Sequence, residues 1–256
     1  MIKLPTRPDC PPVLNRQKVK NALDALVTKV EQGNKLSEKD FKGKRYWGET
    51  KQSLSDYQNG KCCFCERHRD ANPESDVEHF RPKLGVTGED HPGYWWLAYV
   101  WSNLLFSCKA CNSTYKKNHF PLVNKTSRVS VKGRDLSLEK PMLINPSFED
   151  PADFIDYDWD SDQDKVFVVG KDPENRGSET IRILGLDLRD DLHQGRLELV
   201  LTLRLVYDTV QEFSPHHEYY KDAIRILRHK TKPYQGYLGL THCYIRRKGL
   251  EKFLDD

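Results

Sequence analysis

Two C-x-x-C pairs, Cys62/Cys65 and Cys108/Cys111, enclose a Glu78-His79 dipeptide and Asn103, and Asn112 follows directly on the second pair. Four thiolates suit a tetrahedral structural zinc, which can hold together a segment too small to be stable by burial alone. The acid, the imidazole and the amides suit something else: a hard, oxygen-preferring cation with a general base beside it. One short stretch of chain therefore carries the donors for two unlike metal chemistries.

The two pairs are separated by 42 residues, far more than the roughly 15–20 of a zinc ribbon, so an independent piece of structure must fold between them. Cys63 offers a competing C-x-C with Cys65. A two-residue gap is the commoner knuckle, which makes Cys62 the ligand and Cys63 a packed thiol. The alternative is that all of these are ordinary buried thiols.

The elements that must position these residues are legible as alternating turn signals and short apolar pieces. From Lys61 to about Pro121 the pattern predicts a knuckle, two short strands and a helix starting near Cys111. Upstream, the prolines at 5, 8, 11 and 12 predict an irregular opening. A helix follows from about Asn15 to Gln32, stopped by Gly33. A helix start at Ser37 with Asp40 and a short helix over Lys51–Gln58, broken by Gly60, lead into the first cysteines.

Downstream, Met142–Ile144 and Val166–Val169 are candidate strands. The chain beyond Gly177 is mostly helical, with one long helix through Leu192–Val206 and others near Tyr219–Leu227 and Leu240–Phe253. Asp158, Asp160 and Asp162 alternate like the start of an EF-hand loop, but Gln163 and Val169 stand where glycine and glutamate are required. An exposed turn between strands is the expectation there.

The fold class expected is α+β in three parts. Residues 1–50 form an extended and helical amino-terminal segment, 51–125 a small zinc-stapled core, and 126–256 a mixed, mostly helical region. In 256 residues, 37% of them hydrophobic, the longest nearly apolar run is Tyr94–Trp101, far short of the roughly 18 residues of a membrane span. With no secretory signal pattern and an odd seven cysteines, a reducing cytoplasm and metal binding are expected rather than disulfides. Net charge is only +3, but its distribution is uneven. Ser107–Phe120 holds Lys109, Lys116 and Lys117 without an acid, whereas Glu149–Asp164 holds eight acids without a base. The basic block coincides with the second cysteine pair, where a phosphate-binding surface would be useful.

The strings DVEHFRPK (Asp76–Lys83) and WSNLLFSCKACNSTYKKNHFPL (Trp101–Leu122) closely resemble the HNH, or ββα-metal, endonuclease family. Its motif is a histidine preceded by an acid, an asparagine in an Asn-Leu pair, and a histidine or asparagine directly after the second knuckle cysteine. Here those positions are His79 with Glu78, Asn103 with Leu104, and Asn112 after Cys111. The resemblance implies that His79 is the general base and that Glu78 and Asn112 hold one catalytic Mg2+ or Mn2+. It also implies that Asn103 fixes the loop carrying His79.

An imidazole with an ordinary pKa near 6.5 would serve as that base. Lys116, one turn beyond Asn112, could contact phosphate, as could Arg81 and Lys83, although plain structural roles suit these residues equally well. His119 is expected to be a surface residue rather than an extra ligand. The aromatics Tyr94, Trp95, Trp96, Tyr99 and Trp101 are expected to pack as the core of the small domain rather than to stack bases.

Three further strings, YWWLAYVWSNLL, KPMLINPSFEDP and RGSETIRILGLDL, look like one branch of HNH proteins. That branch includes the nuclease subunits of Septu and of retron-linked anti-phage systems. Membership would imply a nuclease acting on DNA as a defence effector, paired with an SMC/ABC-like ATPase that docks on the carboxy-terminal helices. The chain has no phosphate loop of its own, consistent with that division of labour. The competing readings are an RNA- or tRNA-cleaving enzyme of the same mechanism and a catalytically silent zinc-stabilised binding module.

Overall fold

The chain combines helices with two small antiparallel sheets in the computed structural model, which describes residues 1–69, 73–160 and 165–254. A first helix, α1 (Gln17–Glu31), buries Val19, Ala22 and Leu26 and ends at Gly33, whose positive φ of 77° stops it. A capping box at Ser37 and Asp40 opens a short 3-10 turn over Glu38–Phe41. A second 3-10 turn, Tyr46–Thr50, runs directly into α2 (Lys51–Tyr57). Gly60, with φ of 70°, then turns the chain into the first cysteine pair.

The region between the cysteine pairs is organised around one hairpin. Strand β1 (Ser75–His79) pairs antiparallel with β2 (Leu104–Cys108), with His79 opposite Leu104 and Ser75 opposite Cys108. The register sets the chemistry: the far end of β2 delivers Cys108 while the far end of β1 delivers His79. Gln58, buried in α2's carboxy-terminal turn, donates to the carbonyls of Lys61 and Phe106 at 3.0 and 2.8 Å and accepts from Phe106 N at 2.8 Å. It thereby fastens α2 and the knuckle to the edge of β2.

The connection from β1 to β2 is filled by the aromatic run. Tyr94, Trp95, Trp96, Tyr99 and Trp101 are all buried, and Tyr94 packs on Trp96 and on Phe120, with Trp95 edge-on to Trp96, so they form the core of this piece. After β2 the chain winds into a π-helical segment over Ala110–Lys116, closed by Lys117 N donating to Asn112 O at 2.7 Å. Such widened turns are uncommon and concentrate at functional sites.

Downstream, β3 (Ile155–Asp160) pairs with β4 (Lys165–Gly170), and α3 (Arg176–Leu184), α4 (Asp190–Glu212), α5 (Glu218–Lys230) and α6 (Leu238–Lys248) complete the chain. Two expectations need correcting. Met142–Ile144 is not a strand: its donors go to Pro121 O and to the Thr180 hydroxyl, and flanking Pro141 and Pro146 lack the N–H groups a ladder needs. The acidic run is not simply a turn. Asp156, Asp158 and Asp160 lie in β3, and Arg247 of α6 bridges Asp156 and Asp158; Asp162 lies outside the described residues.

The parts are joined by buried polar contacts. The amino group of Met1 pairs with Glu66 at 2.8 Å and donates to the Tyr157 hydroxyl at 2.6 Å, and Glu66 also accepts from Gly239 N in α6. Among the described residues, no helix is long and apolar enough to cross a membrane.

Candidate active site and metal centre

The four sulfurs of Cys62, Cys65, Cys108 and Cys111 converge to within 4.8 Å of one another, all buried. Two short backbone turns do this. Glu66, at a positive φ of 62°, closes the first knuckle by donating its N–H to Cys62 O, and Cys111 N points back at Cys108 Sγ from 3.4 Å. The donor set of four soft sulfurs in a closed, buried cluster could hold a zinc ion.

Groups outside the cluster are aimed at it. The Ser107 hydroxyl lies 3.6 Å from Cys62 Sγ, and the buried Arg189 guanidinium, just ahead of α4, donates to Cys111 Sγ at 3.2 Å. A cation there offsets the net negative charge that four thiolates leave on a zinc ion and fixes one sulfur in place. Cys63 stands apart: it is buried, its N–H goes to Phe106 O, and burial pushes its thiol well above the ordinary range. The packed-thiol expectation for Cys63 fits this geometry.

His79 closes β1 with its ring buried edge-on against Trp47, the centroids 4.9 Å apart. Its Nε2 lies 3.0 Å from Ala98 O. A carbonyl only accepts, so Nε2 carries the proton and Nδ1 is left with its lone pair. The ordinary pKa expected from sequence does not survive: burial, reinforced by the Lys83 ammonium, pushes it down to about 3. The imidazole is therefore neutral throughout the physiological range.

Asn103 holds the two segments that flank this ring. Its Oδ1 accepts from Arg81 N at 2.8 Å, while Nδ2 donates to Arg81 O and Leu97 O at 3.1 and 3.3 Å. The first contact lies two residues after His79 and the last lies one residue before Ala98, which anchors the ring.

Glu78, one residue back, faces the π-helical segment. Its Oε1 lies 2.5 Å from Lys116 Nζ, with both side chains almost wholly buried, and the same ammonium donates to His79 O at 3.1 Å. Burial pushes the Glu78 carboxyl up, against the downward pull of Lys116. Lys116 is thus not on an open face beside phosphate, because the widened helix turns it inward beneath β1. Asn112 sits nearer the surface, its Nδ2 3.4 Å from Asp76 Oδ2, and Ser113 Oγ approaches the same oxygen at 3.4 Å. Carboxylate and amide oxygens are the donors that a hard cation takes; Asp76 and Asn112 meet at this surface, whereas Glu78 is turned inward to Lys116. The Lys116 ammonium occupies Glu78 Oε1, so a cation bound through that carboxylate would have to share it with Lys116 or displace it.

Of the other two expected phosphate contacts, Arg81 is engaged internally. It pairs with the buried Glu139 at 3.0 Å between the rings of Tyr94 and Phe120. Lys83 lies over Phe41 and Trp47 and pairs with Glu38 at 2.9 Å. His119 is half-buried in the loop after the helix, and its N–H closes a turn on Lys116 O. Sequence reasoning missed Asp76 and Trp47. The period-2 step from Asp76 to Glu78 in a strand carried the first signal, whereas nothing in the sequence ties Trp47 to His79 across 32 positions.

No protein-family model and no solved structure matches the chain. Among curated proteins, the Septu protein PtuB of Bacillus mycoides (strain KBAB4) is 36% identical over 137 residues, covering 52% of this chain and 44% of that protein. The Septu protein PtuB of Bacillus thuringiensis is 30% identical over 161 residues, covering 60% and 48% respectively. The chain spans about half the length of the curated relatives it matches. Over the matched stretch, this chain is a homologue of the Septu protein PtuB.

Proposed function

We propose that the chain is a metal-dependent HNH endonuclease that hydrolyses phosphodiester bonds in DNA, acting as the effector of an anti-phage defence system. The observation that carries this reading is the neutral His79, pinned through Nε2 to Ala98 O, with Glu78 beside it, on a strand–strand–helix unit whose helical segment carries Asn112. That unit is read as the ββα-metal core, with the four cysteines as its zinc staple. Residues 51–125 would form the nuclease core, and residues 126–256 would carry the docking surface for an SMC/ABC-like ATPase.

In this mechanism His79 Nδ1, whose lone pair is free in the neutral ring, takes the proton of the attacking water. The negative charge of a bound phosphate would raise the basicity that burial lowers. The Ala98 carbonyl holds the ring and stabilises the proton on Nε2 as positive charge develops. Asn103 keeps that carbonyl and the His79 loop in register. Glu78 and Asn112 would hold the divalent cation, Mg2+ or Mn2+. Asp76 Oδ2 accepts a hydrogen bond from Asn112 Nδ2, which leaves the amide oxygen for the metal. The bound cation would stabilise charge on the scissile phosphate and the leaving 3′ oxygen.

The test is cleavage of supercoiled plasmid by the purified protein with magnesium or manganese, compared with His79→Ala and run in parallel on an RNA substrate. A general base contributes about 10²–10⁴-fold, so the variant should show almost no product. Equal cutting by both proteins would remove His79 from the reaction. Cleavage confined to RNA would move the substrate class while keeping the mechanism.

A further inference from the structure

The wall of the site opposite the hairpin comes from the amino-terminal segment. Phe41 and Trp47 are buried, packed edge to face at 5.7 Å, and Trp47 continues the contact to His79. Between these two anchors the chain turns through Lys42-Gly43-Lys44-Arg45. Gly43 takes a positive φ of 73°, and the Tyr99 hydroxyl donates to Lys44 O at 2.9 Å. The loop is therefore short, basic and held at both ends and in its middle, and it leads directly to Trp47, which packs on the candidate base.

Its charges are not neutralised locally. Asp40 is engaged by Lys29 and its capping box, and Glu49 by Arg16 and Lys18. Glu38 is shared between Arg45 and Lys83, at 3.4 and 2.9 Å. Lys42 and Lys44 have no ion pair among the described residues. Four cations (Lys42, Lys44, Arg45 and Lys83) thus stand against the single carboxylate of Glu38. Lys83 lies over the Trp47 ring, which in turn packs on His79. A focused positive wall beside a hydrolytic site matches one ligand chemistry above others, the closely spaced phosphates of a nucleic-acid backbone. Backbone contacts of this kind position a strand without reading its sequence.

We infer that the Lys42–Arg45 loop is the phosphate grip of the site, binding the DNA backbone alongside the scissile phosphate. This inference rests on the nuclease reading. It replaces Lys116 and Arg81, which are engaged internally, with the exposed Lys42 and Arg45 and the half-buried Lys44.

The test uses the full chain carrying His79→Ala, so that a fluorescein-labelled DNA duplex stays intact while its anisotropy is followed across a sodium chloride series. Lys42→Ala/Lys44→Ala/Arg45→Ala should weaken binding and flatten the slope of log affinity against log salt by about 3, since each neutralised phosphate contributes roughly 0.9. Lys221→Ala/Lys230→Ala/Lys232→Ala, removing the same charge on and just after α5, should change the slope little. With His79 restored, the loop variant should lose kcat/KM and keep most of kcat. Zinc content and melting should match the parent.

An unchanged salt slope in the loop variant, an equal loss in the control, or no duplex binding by the parent chain would each overturn the grip. If the loop variant loses binding while the His79→Ala chain cuts as well as wild type, the grip stands and the assignment of His79 falls.

Discussion

The cysteine cluster and the His79 edge lie at opposite ends of one two-stranded hairpin, yet they are built on opposite principles. The cluster is closed and soft. Four buried sulfurs face one another, and every neighbour that matters, from the Cys111 amide to the Arg189 guanidinium, points inward at sulfur. The edge is open on one side and hard. Its buried carboxylate, Glu78, meets Lys116 from within, while Asp76 and Asn112 reach towards the surface. A closed soft site serves stability, because all its coordination comes from the protein. Under the proposed function the open hard edge would serve reactivity, because a cation held there would keep coordination positions for water and substrate.

This contrast predicts how each end fails. Replacing Cys108 with serine, or stripping metal with a strong chelator, should abolish cooperative melting of the core, since zinc binding of this kind supplies on the order of 10 kcal/mol. Zinc content and calorimetry measured together check this, and an unaltered melt would mean the cluster is no staple.

The second largest effect should come from the other end. Lys116→Met leaves Glu78 buried without its cation, which typically costs about 3–5 kcal/mol. The double variant Lys116→Met/Glu78→Gln should recover much of that loss in denaturant unfolding. Additive losses would show that the pair is not coupled.

Smaller still, Asn103→Ala removes the hydrogen bonds that frame the His79 loop and should cost about 1–3 kcal/mol, with zinc retained. A larger drop in cleavage than in stability would mark its role as positioning. His79→Ala should change the melt least, keeping full zinc and a cooperative transition while cleavage disappears. Loss of zinc from that variant would erase the division between the two ends.

The amino-terminal half was the more readable one. α1, the capped turn at Ser37, α2 and the Gly60 break follow from apolar spacing and from glycines at positive φ, both of them local properties. The hairpin and the helix near Cys111 were likewise visible, because cysteine spacing and period-2 runs constrain short range. The Met142–Ile144 strand failed for a non-local reason. Whether an apolar triplet becomes a strand depends on a neighbour with free backbone donors and acceptors, and here Thr180 and Pro121 supply the partners instead.

The sequence by itself determined which residue types exist for each chemistry: the four clustered cysteines with Cys63 set aside, the Glu78-His79 pair, and Asn103 and Asn112 at their spacing. These are one-dimensional facts, because knuckles and dipeptides are closed by a few neighbouring torsions. Tertiary structure alone decided the charge state and access of each group. Lys116 became an internal counter-ion because a widened helix packs under β1. Arg81 was drawn into an aromatic slot by Glu139. Trp47 came to rest on His79 because a segment more than thirty residues upstream folds against it. Burial and Coulomb interaction depend on distance through space, which the order of residues along a chain does not specify.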